Sequence, residues 1–101
     1  MKEYLQKVTS GANLSQSEMA DAFDAIMNGD STAAQIAALI TALRMKGETV
    51  DEMAGGAESM RRHAVFIDCA GLSVVDTCGT GGDGQDTFNV STTAAFVVSG
   101  A

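Results

Sequence analysis

Cations run out early in this sequence. All six lysines and arginines lie at or before Arg62, and the remainder holds Asp68, Asp76, Asp83 and Asp86 against none of them. The net charge of −7 argues against a nucleic-acid partner, because phosphate backbones are bound by lysine and arginine. No apolar run approaches the roughly 18 residues of a membrane span, so no membrane partner is expected. The opening MKEYLQKVTSGAN lacks the apolar segment of a signal peptide. Cysteine is limited to Cys69 and Cys78, too close together to staple distant elements, and with the single histidine they make no zinc-ligand pattern. Free thiols without an export signal give the expectation of a cytoplasmic location.

What is present is ordinary for a globular chain: 46% apolar and 19% charged residues. A length of 101 residues allows one small domain, or one domain and part of another. Lys2–Thr9 places Tyr4, Leu5 and Val8 on one side of a helix and stops before Gly11, a glycine cap. A second helix starts at Ser15, where Ser15 and Glu18 form a capping box and Leu14 with Met19 a hydrophobic staple. Its stripe is Met19, Phe23, Ile26 and Met27, closed by Asn28-Gly29. Thr32 with Gln35 opens a third, with Ile36, Leu39, Ile40 and Leu43 buried and Gly47 at its end. Thr49 with Glu52 opens a fourth, running through Met53, Ala57 and Met60, with Arg61 and Arg62 suited to the negative end of the helix dipole. The methionines recur at helical spacing and are expected to fill the core. His63 is expected to be solvated or to cap the helix end, since no acid stands in an obvious register with it.

After Asp68 the pattern changes. Leu72–Asp76, LSVVD, is a short apolar run of the kind found in buried parallel strands. A glycine loop follows, and a new helix begins at Ser91 or nearby. The fold class is therefore mainly α: a helical N-terminal subdomain over 1–70, then the first strand, loop and helix of an α/β domain over 71–101. One strand makes no sheet, which gives the expectation of an N-terminal fragment of a longer protein.

The loop, DTCGTGGDGQDTFNVST from Asp76 to Thr92, satisfies three motif patterns. Gly81 to Asn89 fit the calcium-binding nonapeptide, but that motif works in tandem copies and only one copy is present. Gly79 and Gly84 have P-loop spacing, but Gln85-Asp86 stands where lysine and a hydroxyl residue should follow. Gly79, Gly81 and Gly84 spell the dinucleotide fingerprint, yet the eight residues from Asp83 to Val90, DGQDTFNV, precede Ser91 where the helix should begin inside the glycines. A fourth arrangement fits better. Gly79–Gly82 can turn consecutive N–H groups toward an anion, and Ser91-Thr92 offers a second anionic contact at a helix start. Asn89 and Ser91 provide neutral oxygens suited to Mg²⁺, which would offset repulsion from Asp83. An ordinary glycine-rich turn capped by Ser91 remains the alternative.

Asp76 to Asp83, DTCGTGGD, together with Thr87 to Thr92, TFNVST, resembles the phosphoribosyl-diphosphate loop of the anthranilate phosphoribosyltransferase family. The segment Ala42–Met53, ALRMKGETVDEM, is similar to part of that family's helical subdomain, and the resemblance covers essentially the whole chain. It implies a nucleoside phosphorylase/phosphoribosyltransferase-like fold. It further implies transfer of the phosphoribosyl group of 5-phosphoribosyl 1-diphosphate to anthranilate in tryptophan biosynthesis, with Mg²⁺ and release of pyrophosphate. Gly79 would lie near both substrates. Gly82, Asp83, Thr87, Asn89, Val90, Ser91 and Thr92 would hold the phosphoribosyl diphosphate, and Ser91 would ligate the magnesium. No catalytic nucleophile is implied, only electrostatic stabilisation and positioning. A homodimer through the helical subdomain is also implied. The family's lysine-histidine-glycine-asparagine segment and its aspartate-glutamate metal pair have no counterpart here, so the chain alone is expected to be inactive.

Two other functions fit the same fold. A pyrimidine nucleoside phosphorylase would resemble lysine-histidine-serine-threonine-glycine-glycine where Thr77–Gly82 stands, which favours the transferase. A non-catalytic ligand-binding module is the other, and the residues following Ala101 would separate it from the enzyme.

Overall fold

A computed structural model describes residues 1–79 and 89–101 of the chain. They form two units, Met1–Phe66 and Ile67–Ala101.

The first unit contains α1 (Lys2–Thr9), α2 (Gln16–Met27), α3 (Ala33–Lys46) and α4 (Val50–His63). Their beginnings follow from capping chemistry. Ser15, Thr32 and Thr49 each accept the N–H of the residue three positions on, and Glu18, Gln35 and Glu52 reach back to the cap N–H. The ends of α1, α2 and α3 follow from glycine. Gly11 adopts φ 83°, letting Ala12 N–H reach Lys7 O at 3.1 Å and Gly11 N–H reach Val8 O at 2.9 Å. Gly29 closes α2 in the same way, with Asp30 N–H on Ala25 O. A side chain resists this left-handed conformation, so glycine ends these helices.

Packing pairs α2 with α4 and α1 with α3. The buried cluster is Val8, Leu14, Met19, Ala22, Leu39 and Leu43, with Tyr4, Leu5, Phe23 and Ile26 packed against it. Leu14 and Met19 are both buried, as the staple requires.

Three expectations about burial are corrected. Met53 and Met60, taken as the buried stripe of α4, are 57% and 54% exposed, and Ala57 is exposed with them. The face that α4 buries is Glu52, Gly55, Gly56 and Ser59, which has the same helical spacing but hardly any apolar side chain. A β-carbon on Gly55 would collide with the carbonyl oxygen of Gln16 and lie 3.0 Å from Met19 Cβ. Bare backbone at Gly55 therefore lets α4 approach α2 closely. Of the other stripe residues, Met27 and Ile40 are exposed, while Ala20 and Ala22 are buried instead. The methionines as a group are not core fillers: Met19 is buried, but Met27, Met45, Met53 and Met60 are exposed. Met53 and Met60 instead line a groove of about 350 Å³ with Phe23, Ile40 and Leu43.

His63 bonds a carbonyl of the last turn of α4 and has beside it an acid from α2. Its Nδ1 lies 2.9 Å from Ser59 O and 3.6 Å from Asp24 Oδ1, and its Nε2 lies 3.1 Å from Asn28 Oδ1. Asp24 stands 39 positions before His63 in the sequence (63 − 24), so no local register links them. Asp24 is held below the usual carboxylate range, first by the hydrogen bond from Ser59 and then, against some burial, by Arg62 and His63.

In the second unit, Asp68 accepts Ala70 N–H, and Leu72 N–H closes a turn on Cys69 O with Gly71 at φ 81°. The strand expected over Leu72–Asp76 is not formed, and no strand occurs among the described residues. A strand needs a neighbour to complete its ladder, and Leu72, Val74 and Val75 are exposed instead. The helix expected after the loop is present as α5 (Val90–Gly100). No helix among the described residues is long and apolar enough to cross a membrane.

Candidate functional site

The candidate site begins at a turn. Asp76 Oδ1 accepts Cys78 N–H at 2.8 Å, an aspartate turn that aims the backbone into Gly79. Gly79 N–H then donates to Ser91 Oγ at 3.3 Å across 12 residues of sequence. The loop's entry and the first turn of α5 are thereby tied together. Both sides of this contact share a groove of about 410 Å³ lined by Thr77, Cys78, Ser91, Thr92, Ala95, Phe96 and Ser99.

The α5 start corrects one expectation. Ser91 is not the N-cap. Asn89 is, and its Oδ1 accepts Thr92 N–H at 2.9 Å. Asparagine is among the strongest capping residues and lies two positions earlier, so it starts the helix before Ser91 can. Ser91 then sits inside the first turn with its hydroxyl turned to Gly79. Val90 and Thr92 occupy the same turn.

Of the residues singled out in the sequence, Gly79, Asn89, Val90, Ser91 and Thr92 are thus grouped at one loop-helix junction. Gly82, Asp83 and Thr87, and with them most of the proposed Gly79–Gly82 nest, lie outside the described residues. The groove adds Ala95 and Ser99, which the sequence reading missed. They follow Ser91 at four and eight positions, so a helical period of small residues was the available signal.

The start of α5, taken alone, favours an anion. The first turn of α5 contains no acidic residue, and its exposed N–H groups carry the positive end of the helix dipole. For a metal the donor set is thin. No group of three or more histidines, cysteines or acids comes together among the described residues. Asn89 Oδ1 is engaged in capping, while Ser91 Oγ accepts one N–H from Gly79 and keeps a second lone pair. Thr77, Thr92 and Ser99, which also carry hydroxyls, line the same groove. A neutral oxygen of this kind suits a magnesium ion that takes its other ligands from substrate phosphate and water.

Comparison with known proteins agrees with this division. Residues 2–64 match the helical bundle domain of the glycosyl transferase family, and residues 71–101 match the a/b domain of the same family. The chain belongs to the glycosyl transferase family. It is similar to three curated proteins, each named anthranilate phosphoribosyltransferase. The protein of Moorella thermoacetica is 58% identical over 101 residues, covering 100% of this chain and 30% of the relative. That of Persephonella marina is 51% identical over 102 residues, with the same 100% and 30% coverage. That of Desulfosudis oleivorans is 56% identical over 97 residues, covering 96% and 29%. The chain spans about three-tenths of the length of these relatives.

Proposed function

We propose that this chain contributes to an enzyme that moves the phosphoribosyl group of 5-phosphoribosyl 1-diphosphate onto the amino nitrogen of anthranilate. The observation that carries this reading is 58% identity along the whole chain to a protein named for that activity. In the reaction a bond forms between the anthranilate nitrogen and C1 of the ribose as the bond to diphosphate breaks. An amine proton is released.

The chain's own part is to bind and orient the donor. The N–H groups at the start of α5 would meet the diphosphate, and Gly79 is tied to that helix through Ser91 Oγ. The resemblance of the loop adds Gly82, Asp83, Thr87 and the run Asn89–Thr92 as residues that would bind the same donor. Ser91 Oγ would ligate magnesium, which when bound would draw charge from the departing diphosphate. The 101-residue chain by itself is expected to leave anthranilate unchanged, because it spans three-tenths of the relatives' length.

A homodimer through the helical unit is part of the same reading. The exposed groove of Met53, Met60, Phe23 and Ile40 supports it, since exposed apolar patches of this kind mark contact surfaces. Two exposed thiols, Cys69 and Cys78, suit a reducing cytoplasm.

The test is loss of anthranilate fluorescence by the protein at the full length of its relatives. Consumption that requires both phosphoribosyl diphosphate and magnesium is expected. Phosphorolysis of thymidine or uridine in place of it would favour the nucleoside phosphorylase reading. Binding of the donor with no turnover of either substrate would favour a ligand-binding module.

A further inference from the structure

The sequence Asn89-Val90-Ser91-Thr92 offers three side chains able to cap one helix, and the choice among them decides what Ser91 can do. A capping hydroxyl accepts an N–H from its own helix. Had α5 begun at Ser91, its Oγ would be turned back on the helix and away from Gly79. Asn89 takes the capping role instead, through Oδ1 to Thr92 N–H at 2.9 Å. Its backbone carbonyl is held too, by Thr93 N–H at 3.2 Å and Thr93 Oγ1 at 3.0 Å. Ser91 is released by this arrangement, and its hydroxyl accepts Gly79 N–H at 3.3 Å.

We propose that Asn89 is the positioning residue of this site: by capping α5 two residues ahead of Ser91, it frees the Ser91 hydroxyl to bind the loop at Gly79 and to face the ligand. The inference rests on the reading of this junction as a phosphoribosyl-diphosphate site. It assigns Asn89 a role that acts through Ser91, beside any contact of its own amide with the donor. A serine at position 89 keeps a capping oxygen but has no amide, so it separates the two roles.

The experiment compares Asn89→Ala and Asn89→Ser. Amide exchange of Thr92 and Gly79 is read by NMR in the free chain. Binding of 5-phosphoribosyl 1-diphosphate with magnesium is read by calorimetry in the protein at its relatives' full length. In Asn89→Ala, Thr92 exchange should rise about fivefold, the factor a lost cap carries. Gly79 exchange should rise with it, and donor binding should weaken. Asn89→Ser should restore all three. A Gly79 amide unmoved while Thr92 is freed would overturn the proposal. So would donor binding equally weak in the serine and alanine proteins, which would place the whole effect in the asparagine amide. If the unsubstituted protein fails to bind the donor, the functional reading falls, and the two amide measurements still decide whether Asn89 positions Ser91.

Discussion

Glu52, fully buried on α4, accepts the backbone N–H of Leu14, 38 residues earlier in the chain, at 2.9 Å. The same carboxylate accepts Thr49 N–H at 2.8 Å and pairs with Lys46 Nζ at 2.9 Å. Lys46 in turn reaches Asn13 Oδ1 at 2.9 Å. One side chain thus fastens the end of α3, the start of α4 and the segment before α2. A capping glutamate is expected to serve its own helix; this one also holds the backbone before α2 and a lysine side chain from the end of α3.

That network predicts acid sensitivity. Burial alone would raise the Glu52 carboxyl, but the N–H groups of Leu14 and Thr49 and the Lys46 ammonium outweigh it and lower it from 4.5 to about 2. A carboxyl lowered by folding stabilises the fold above its unfolded value, and that stability is lost as pH falls toward the folded one. The helical unit should therefore weaken between about pH 4.5 and 2. Glu18, held low by Lys7 and by Ser15 N–H, and Asp24 act with the same sign. Glu52→Gln should cost about 3–5 kcal/mol at neutral pH, since it strands the Lys46 charge at a site only 9% exposed. Urea unfolding at pH 7 and pH 3 checks both points. A variant whose loss relative to the parent is the same at the two values would contradict the assignment.

Two adjacent glycines should respond in opposite ways. Gly55→Ala drives a methyl into the Gln16 carbonyl, backbone that cannot turn aside. It should destabilise by about 1–3 kcal/mol. Gly56→Ala meets only the face of Phe23 at 3.5–3.6 Å, an ordinary contact. It should be neutral or gain up to about 1 kcal/mol from helix propensity. Denaturation midpoints that move together would show that α2 and α4 are not packed through Gly55.

The difference between these glycines marks where sequence reading stops. Helix starts were legible because capping is local: Ser15, Thr32 and Thr49 each act within three residues. The buried face of α4 was not, because a search for apolar period finds Met53 and Met60 and passes over Glu52, Gly55, Gly56 and Ser59. Those four are buried by their fit to α2, a partner that period alone does not name. The Asp24–His63 approach was hidden for the same reason. At the candidate site the residue types were legible, but the division of labour between Asn89 and Ser91 was not. Three capping residues in four positions leave the start of α5 open until the Gly79 contact is seen.

Protection from amide exchange should divide the chain. Helices α2 to α4 bury the shared cluster of Leu14, Met19, Ala22, Leu39 and Leu43. In the second unit Leu72, Val74, Val75, Phe96 and Val97 are exposed, so little apolar burial opposes local opening there. Exchange in α5 and residues 72–79 should be faster than in α2 to α4. Equal or greater protection in the second unit would mean that its apolar surface is covered in solution.

Ser91 gives the last test. Because Asn89 caps α5, Ser91→Ala should leave the stability of the helix nearly unchanged and remove only the Gly79 contact. Its effect belongs to the ligand. In the protein at its relatives' full length, Ser91→Ala should raise the magnesium concentration needed for half-maximal rate. It should weaken binding of 5-phosphoribosyl 1-diphosphate and leave anthranilate binding nearly as it was, since the proposed role of the lost oxygen is on the diphosphate. Ser91→Thr should be milder, because the oxygen is kept and only its rotamer is restricted by the added methyl. Magnesium titrations that superimpose for Ser91→Ala and the parent would remove the metal role from Ser91. The hydroxyl would then serve only to hold Gly79, and the alanine protein should still show a faster-exchanging Gly79 amide.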